Sequence, residues 1–261
     1  MNANTSANKV PGLPPDATIR RPQDLAAGRR RLLKVGGVTP FTATDYPGLL
    51  AAAIFVQGCP WRCGYCHNPH LQERTRDSPI AWDDVLSLLE RRIGLIDAVV
   101  FSGGEPTIDP CLAGAIRQVR AMGFKIGMHS GGTHPQRLEN VLPLLDWIGL
   151  DVKANFADYA NITKIAGSGD PALDSLKAVL ASGVDYECRS TAHPSLLSET
   201  QLFQLARTLA DMGVKTYALQ VFRMQGCSDP ALINSMTGNY PSPDVVEQLG
   251  KLFPRFTLRR E

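Results

Sequence analysis

The chain reads as an α/β protein built on a parallel sheet, and three observations lead there. Six short apolar runs recur along it, amphipathic helical patterns separate most of them, and each run stops at a polar or glycine-rich segment. Strands buried on both faces read as near-continuous apolar runs, and strand–helix alternation signals right-handed crossovers.

The first run, Ala52-Ala53-Ile54-Phe55-Val56, stops at Gly58. The second, Asp97 to Phe101, ends at Ser102-Gly103-Gly104, and the third, Phe124 to Met128, ends at His129-Ser130-Gly131-Gly132. Trp147-Ile148-Gly149-Leu150 runs into Asp151-Val152-Lys153, Tyr186 to Thr191 ends near His193-Pro194, and Thr216 to Val221 closes the series. Helical spacing joins Trp82, Val85, Leu86 and Leu89 on one face, and Leu112, Ile116, Val119 and Met122 on another. Leu173, Leu176, Val179 and Leu180 repeat it, as do Leu202, Leu205, Ala206 and Leu209. In such folds ligands meet the carboxyl ends of the strands, where the polar groups of this chain fall.

The 261 residues are 44% hydrophobic, enough for one large core. A formal net charge of +2, from 27 basic and 25 acidic residues, argues against a nucleic-acid-binding domain. No run reaches a membrane span, and the N-terminus lacks an apolar signal core, so no membrane association and a cytoplasmic location are expected. Residues 1–31 carry Pro11, Pro14, Pro15 and Pro22 without periodicity and predict a flexible extension whose arginines are solvated; residues 32–261 predict one domain.

Cys59, Cys63 and Cys66 lie within eight residues, directly after the first run. Clustered cysteines in a reducing compartment point to metal ligands rather than disulfides. A structural zinc site closes four ligands, and His67 or His70 could complete one here. Three thiolates can instead hold three irons of a four-iron cluster and leave the fourth open. Gly58 and Gly64 would let the backbone approach the sulfurs. Cys111, Cys188 and Cys227 are isolated and read as small buried thiols, so one cluster is expected.

The spacing C-x3-C-x2-C, with Tyr65 before the third cysteine, resembles the signature of the radical S-adenosylmethionine (SAM) superfamily. The resemblance implies a partial (β/α)6 TIM-like barrel, one [4Fe-4S] cluster on those three cysteines, and SAM chelating the open iron. No catalytic residue beyond cluster and cofactor is implied. Gly103-Gly104-Glu105-Pro106 resembles the motif that holds the methionyl amine, and Glu105 can accept from an ammonium group. Asp151 and Lys153 alternate to one side, where they either pair or meet a polar ligand. Arg189, in a core-like run, needs an anionic partner, for which the cofactor carboxylate is a candidate. Gln220 is expected to touch adenine and Tyr65 to pack beside it, a core tyrosine being the alternative.

From Val35 onward, Thr44-Asp45-Tyr46-Pro47-Gly48, Cys66-His67-Asn68-Pro69, Asp151-Val152-Lys153-Ala154 and Val184-Asp185-Tyr186-Glu187 resemble the activating proteins of anaerobic ribonucleoside-triphosphate reductase. This implies a glycyl-radical enzyme as partner, the large subunit of that reductase, and a flavodoxin- or ferredoxin-type electron donor. Related activases have Asp-Thr-Asn-Gly where this chain has His129-Ser130-Gly131-Gly132. In a sister family that aspartate helps bind a monovalent cation, so His129 either replaces the cation or is a structural residue. Activation of another glycyl-radical enzyme, small-molecule radical chemistry, and a non-catalytic metal- or cluster-binding module are the alternatives.

Overall fold

The computed structural model describes residues 31–236 and 238–260. The expected flexible extension over 1–31 therefore lies, but for Arg31, outside the described residues. The eight-stranded sheet runs in chain order: β1 (Val35–Thr42), β2 (Ala51–Val56), β3 (Ala98–Gly103), β4 (Lys125–Ser130), β5 (Trp147–Asp151), β6 (Asp185–Ala192), β7 (Thr216–Val221) and β8 (Arg255–Arg259). β1 is antiparallel to β2, and every later neighbour pair is parallel. With β1 and β8 at opposite ends, the sheet is an open, partial barrel.

The six expected strands are β2 to β7. The two flanking strands carry no comparable apolar run. β1 contains two glycines and Pro40 and is only half-buried over most of its length, as suits an edge. β8 alternates Arg-Phe-Thr-Leu-Arg, which gives a strand pattern but too few residues to stand out.

Among the described residues eight α-helices fill the connections: α1 (Trp82–Glu90), α2 (Leu112–Ala121), α3 (Pro135–Val141), α4 (Tyr159–Thr163), α5 (Gly169–Ser182), α6 (Glu199–Asp211), α7 (Pro230–Asn234) and α8 (Pro243–Gly250). The four periodic segments are α1, α2, α5 and α6. Ser198 caps α6 in a capping box with Gln201, satisfying two end groups reciprocally. Seven-residue α3 is too short for two turns of periodicity to declare it.

Strand alternation separates two faces. Ile54, Val99, Phe101, Ile126, Met128, Ile148 and Leu150 point outward and join Leu89, Ile116, Val119, Leu176 and Leu205 of the helices in the main core. Each such side chain contributes about 1.5–3 kcal/mol by burial. The inner face is floored by small residues, Ala51, Ala98 and Val100, with Tyr46 and Trp147. A Cβ on Gly127 would stand 2.9 Å from the Tyr46 ring, so that glycine admits the ring as a floor plug. Toward the carboxyl ends the inner face turns polar, with Ser102, His129, Asp151, Arg189 and Gln220.

Candidate functional site

A cavity of about 900 Å³ opens at the carboxyl ends of the strands, and the three cysteines and every residue named from the sequence for the cofactor line it. Its cysteine wall is the loop after β2. Within it, Gly58 N–H donates to the Leu71 carbonyl (2.8 Å), Cys59 N–H to Gln72 (3.0 Å) and Cys66 N–H to Cys63 (3.1 Å). Gly103 and Gly104 lock this loop to β3. A Cβ on Gly103 would lie 2.4 Å from Val56 N, and one on Gly104 2.2 Å from Gly58 O. Gly104 N–H bonds Val56 O at 2.9 Å and Glu105 N–H bonds Gly58 O at 2.8 Å. The close approach these glycines permit is thus to the chain's own backbone.

All three thiols are free and partly buried. Burial, reinforced by the Glu105 carboxylate, pushes Cys59 up to about 12. Burial also raises Cys63, against the pull of Lys153. Thiolates here therefore call for a positively charged metal centre to displace their protons. Among the described residues no three His, Cys, Asp or Glu side chains gather as a single metal ion requires. His67 Nε2 meets the Arg223 carbonyl at 3.1 Å and His70 is exposed. Thiols distributed along a loop suit separate corners of a multi-iron cluster.

Glu105 is 1% exposed and held by four donors. Its Oε1 accepts from Thr107 N–H (3.1 Å), Thr107 Oγ1 (2.7 Å) and Ser130 Oγ (2.9 Å), and its Oε2 from Gly131 N–H (2.8 Å). Oε2, with one donor, keeps a lone pair for a cationic ligand. Ser130 and Gly131 were not assigned this part from sequence; their place at the carboxyl end of β4, beside β3, was the available signal.

On the facing wall, Asp151 joins two cations. Lys153 Nζ lies 3.3 Å from Oδ2, while Arg189 Nε and Nη2 reach Oδ1 at 3.0 and 2.9 Å. Gly149 makes the room, since a Cβ there would come 2.8 Å from the Arg189 guanidinium. Burial would raise the Asp151 carboxyl, but Lys153 and Arg189 outweigh it and hold it down at about 2. The anionic partner that buried Arg189 needs is thus present in the chain. Lys153 Nζ also stands 5.6 Å from the Tyr65 ring centre and 6.0 Å from that of Trp61, within cation–π range. Tyr65 is buried, its hydroxyl without a hydrogen-bond partner among the described residues.

His129 Nε2 lies 2.8 Å from the Asp45 carbonyl and Nδ1 3.3 Å from Ser102 Oγ. Burial and then the Arg189 charge lower its pKa to about 3. It is therefore a neutral imidazole that donates from Nε2 and accepts at Nδ1. Gln220 faces the cavity from β7. Beyond it Glu187 accepts from both Nη atoms of Arg259 at 2.7 and 2.9 Å, a pair missed because β8 was not recognised.

The site thus sets three free thiols and a buried glutamate on one cavity wall of an open, largely parallel barrel. The family model for the radical SAM superfamily matches residues 53–201, and the chain belongs to that superfamily. It is a radical SAM enzyme, a family whose cofactors are a [4Fe-4S] cluster and SAM. A provisionally named glycyl-radical enzyme activating enzyme of Methanocaldococcus jannaschii is 27% identical over 230 residues, 85% of this chain and 92% of that protein. The pyruvate formate-lyase-activating enzyme of Clostridium pasteurianum is 27% identical over 186 residues, 69% of this chain and 77% of that one. In fold, the chain resembles Streptococcus suis SuiB bound to SAM, with a TM-score of 0.58 at 12% identity over 78% of this chain and 48% of that one. No helix among the described residues is long and apolar enough to cross a membrane.

Proposed function

We propose that the chain is an activase that installs a glycyl radical on a partner enzyme, anaerobic ribonucleoside-triphosphate reductase by preference. The observation that carries the reading is the convergence on one cavity of three free thiols and the buried Glu105 carboxylate, whose Oε2 accepts one hydrogen bond and keeps a free lone pair. Cys59, Cys63 and Cys66 would hold the [4Fe-4S] cluster. Glu105 Oε2 would accept from the cofactor's ammonium group, and Arg189 would share its guanidinium between Asp151 and the cofactor carboxylate. Gly103 and Gly104 hold the loop at the distance Glu105 requires. When bound, the cluster supplies one electron that splits SAM into methionine and a 5′-deoxyadenosyl radical able to abstract hydrogen.

The chain's own residues orient and insulate. Tyr65 and Trp61 present apolar faces beside Lys153, which excludes water from that wall. Neutral His129 adds no charge beside Arg189, while Gln220 offers both donor and acceptor to an adenine edge. The likeness to activating enzymes over 92% and 77% of their lengths supports a protein partner, and a flavodoxin- or ferredoxin-type protein in the cytoplasm would deliver the electron.

The test is electron paramagnetic resonance of the reduced, cluster-loaded chain with SAM and the reductase. A glycyl doublet is expected; SAM cleavage without a doublet would sink the choice of partner. A doublet with pyruvate formate-lyase alone would favour the second reading, to which the C. pasteurianum relative points. Cys63→Ala should abolish cleavage, and zinc without sulfide in the purified chain would leave only a binding module.

A further inference from the structure

The arginines facing the cavity fall into two kinds. Arg189 is engaged by Asp151 and Arg259 by Glu187. Arg223 and Arg260 also line the cavity, yet neither meets a carboxylate within ion-pair distance among the described residues. Arg260 donates to two neutral carbonyls, Tyr240 O at 3.4 Å and Pro241 O at 3.0 Å, which position its guanidinium. Arg223 is exposed at the rim, and its backbone is pinned where its carbonyl meets His67 Nε2 at 3.1 Å.

Both leave the carboxyl ends of adjacent parallel strands. Gln220 of β7 stands opposite Arg259 of β8, with Arg223 and Arg260 just beyond. From the end of β5 to β8, four arginines and Lys153 therefore face two carboxylates, Asp151 and Glu187. Surplus charge in a cleft with low-dielectric walls focuses its field on the opening and attracts anions. Guanidinium groups, planar and permanently charged, match carboxylates better than any other acidic group on a polypeptide. This end of the cavity adjoins the cysteine loop, where the Arg223 carbonyl meets His67.

We propose that Arg223 and Arg260 form an anion subsite that binds an acidic side chain of the polypeptide presented to the cofactor, so that an acid near the acceptor glycine is a specificity determinant. The proposal rests on the activase reading above. Two rim arginines without an ion-pair partner among the described residues steer encounter and fix register more than they add raw affinity.

The probe is a capped ten-residue peptide with a central glycine and two glutamates, compared with a twin in which both are glutamine. Binding to the cluster-loaded chain is read by fluorescence anisotropy at two salt concentrations. The glutamate peptide should bind about tenfold tighter at low salt, an advantage that shrinks at high salt. Arg223→Gln combined with Arg260→Gln should bring the glutamate peptide to the affinity of its twin, while Arg→Lys at both sites should keep part of the difference. Iron content and circular dichroism check that the variants fold, and the peptide pair on the unaltered chain decides the matter if they do not. Equal binding of the two peptides, no binding of either at millimolar concentration, or full discrimination by the double variant would overturn the proposal. Displacement by inorganic phosphate as effective as by the glutamate peptide would reduce the site to a small-anion site and overturn its polypeptide part. A glutamate preference without any glycyl doublet on an intact partner would instead sink the activase reading and leave the subsite standing.

Discussion

Arg189 and Asp151 meet through a single oxygen: Nε and Nη2 of the guanidinium both contact Oδ1, at 3.0 and 2.9 Å. Oδ2 is thereby left to Lys153, and one carboxylate neutralises parts of two buried cations from β6 and the end of β5. The arrangement fixes the β5–β6 wall of the cavity before any ligand arrives.

Asp151→Asn should therefore destabilise the chain more than an exposed ion pair would. Arg189 and Lys153 are nearly buried while Asp151 is about a third exposed, so a loss of about 1–2 kcal/mol is expected, below the full cost of stranding a buried charge. The folded-state pKa is depressed from 3.8 to about 2, so this stability is present above pH 3.8 and is lost as pH falls toward 2. Urea midpoints across that window should fall for the parent chain and flatten for the variant.

His129 has a window of its own. Its pKa falls from 6.5 to about 3 on folding, so the unfolded chain binds more protons between those values. Stability from this residue is complete above pH 6.5 and declines as pH drops below it. His129→Gln, which keeps a donor for the Asp45 carbonyl, should show a shallower decline in melting temperature from pH 6.5 to 4.5. Imidazole resonances that titrate near 6.5 in the folded chain would contradict the burial argument.

Glu105→Gln replaces an acceptor-only group by one with an amide NH2. Four donors already point at this carboxylate, so either oxygen position would set a donor against a donor. A loss of about 1–3 kcal/mol is expected from one unsatisfied buried group. On the role proposed for Glu105 at the cofactor's ammonium group, equilibrium binding of SAM to the cluster-loaded variant should weaken at least about tenfold.

Gly104→Ala should be worse than either. Its Cβ would fall 2.2 Å from Gly58 O and 2.8 Å from Leu71 O, both backbone atoms that cannot swing aside. A cost of about 3 kcal/mol or more is expected, with iron incorporation reduced because the cysteine loop must move. Gly114→Ala, where nothing lies within 4 Å of the added carbon, should leave stability and iron content near the parent values.

Much of this was legible beforehand because periodicity and spacing are local. Apolar runs such as Ile54-Phe55-Val56 declare buried parallel strands, and the alternation of Asp151 with Lys153 places both on one side. β1 and β8 escaped because edge strands bury less and so carry weaker apolar signals. Superfamily membership and its cofactors follow from the cysteine spacing; the partner enzyme leaves no mark of that kind.

Residue order alone determined the parallel α/β architecture, the wall on which the polar groups stand, and the cysteine triplet, since each depends on neighbours a few positions apart. Only the tertiary structure decided who pairs with whom. Arg189 and Asp151 are 38 positions apart, Glu105 and Gly131 are 26, and Glu187 and Arg259 are 72. Such contacts depend on strand register and on how crossovers bring distant ends together, and a buried charge takes whichever partner that register supplies.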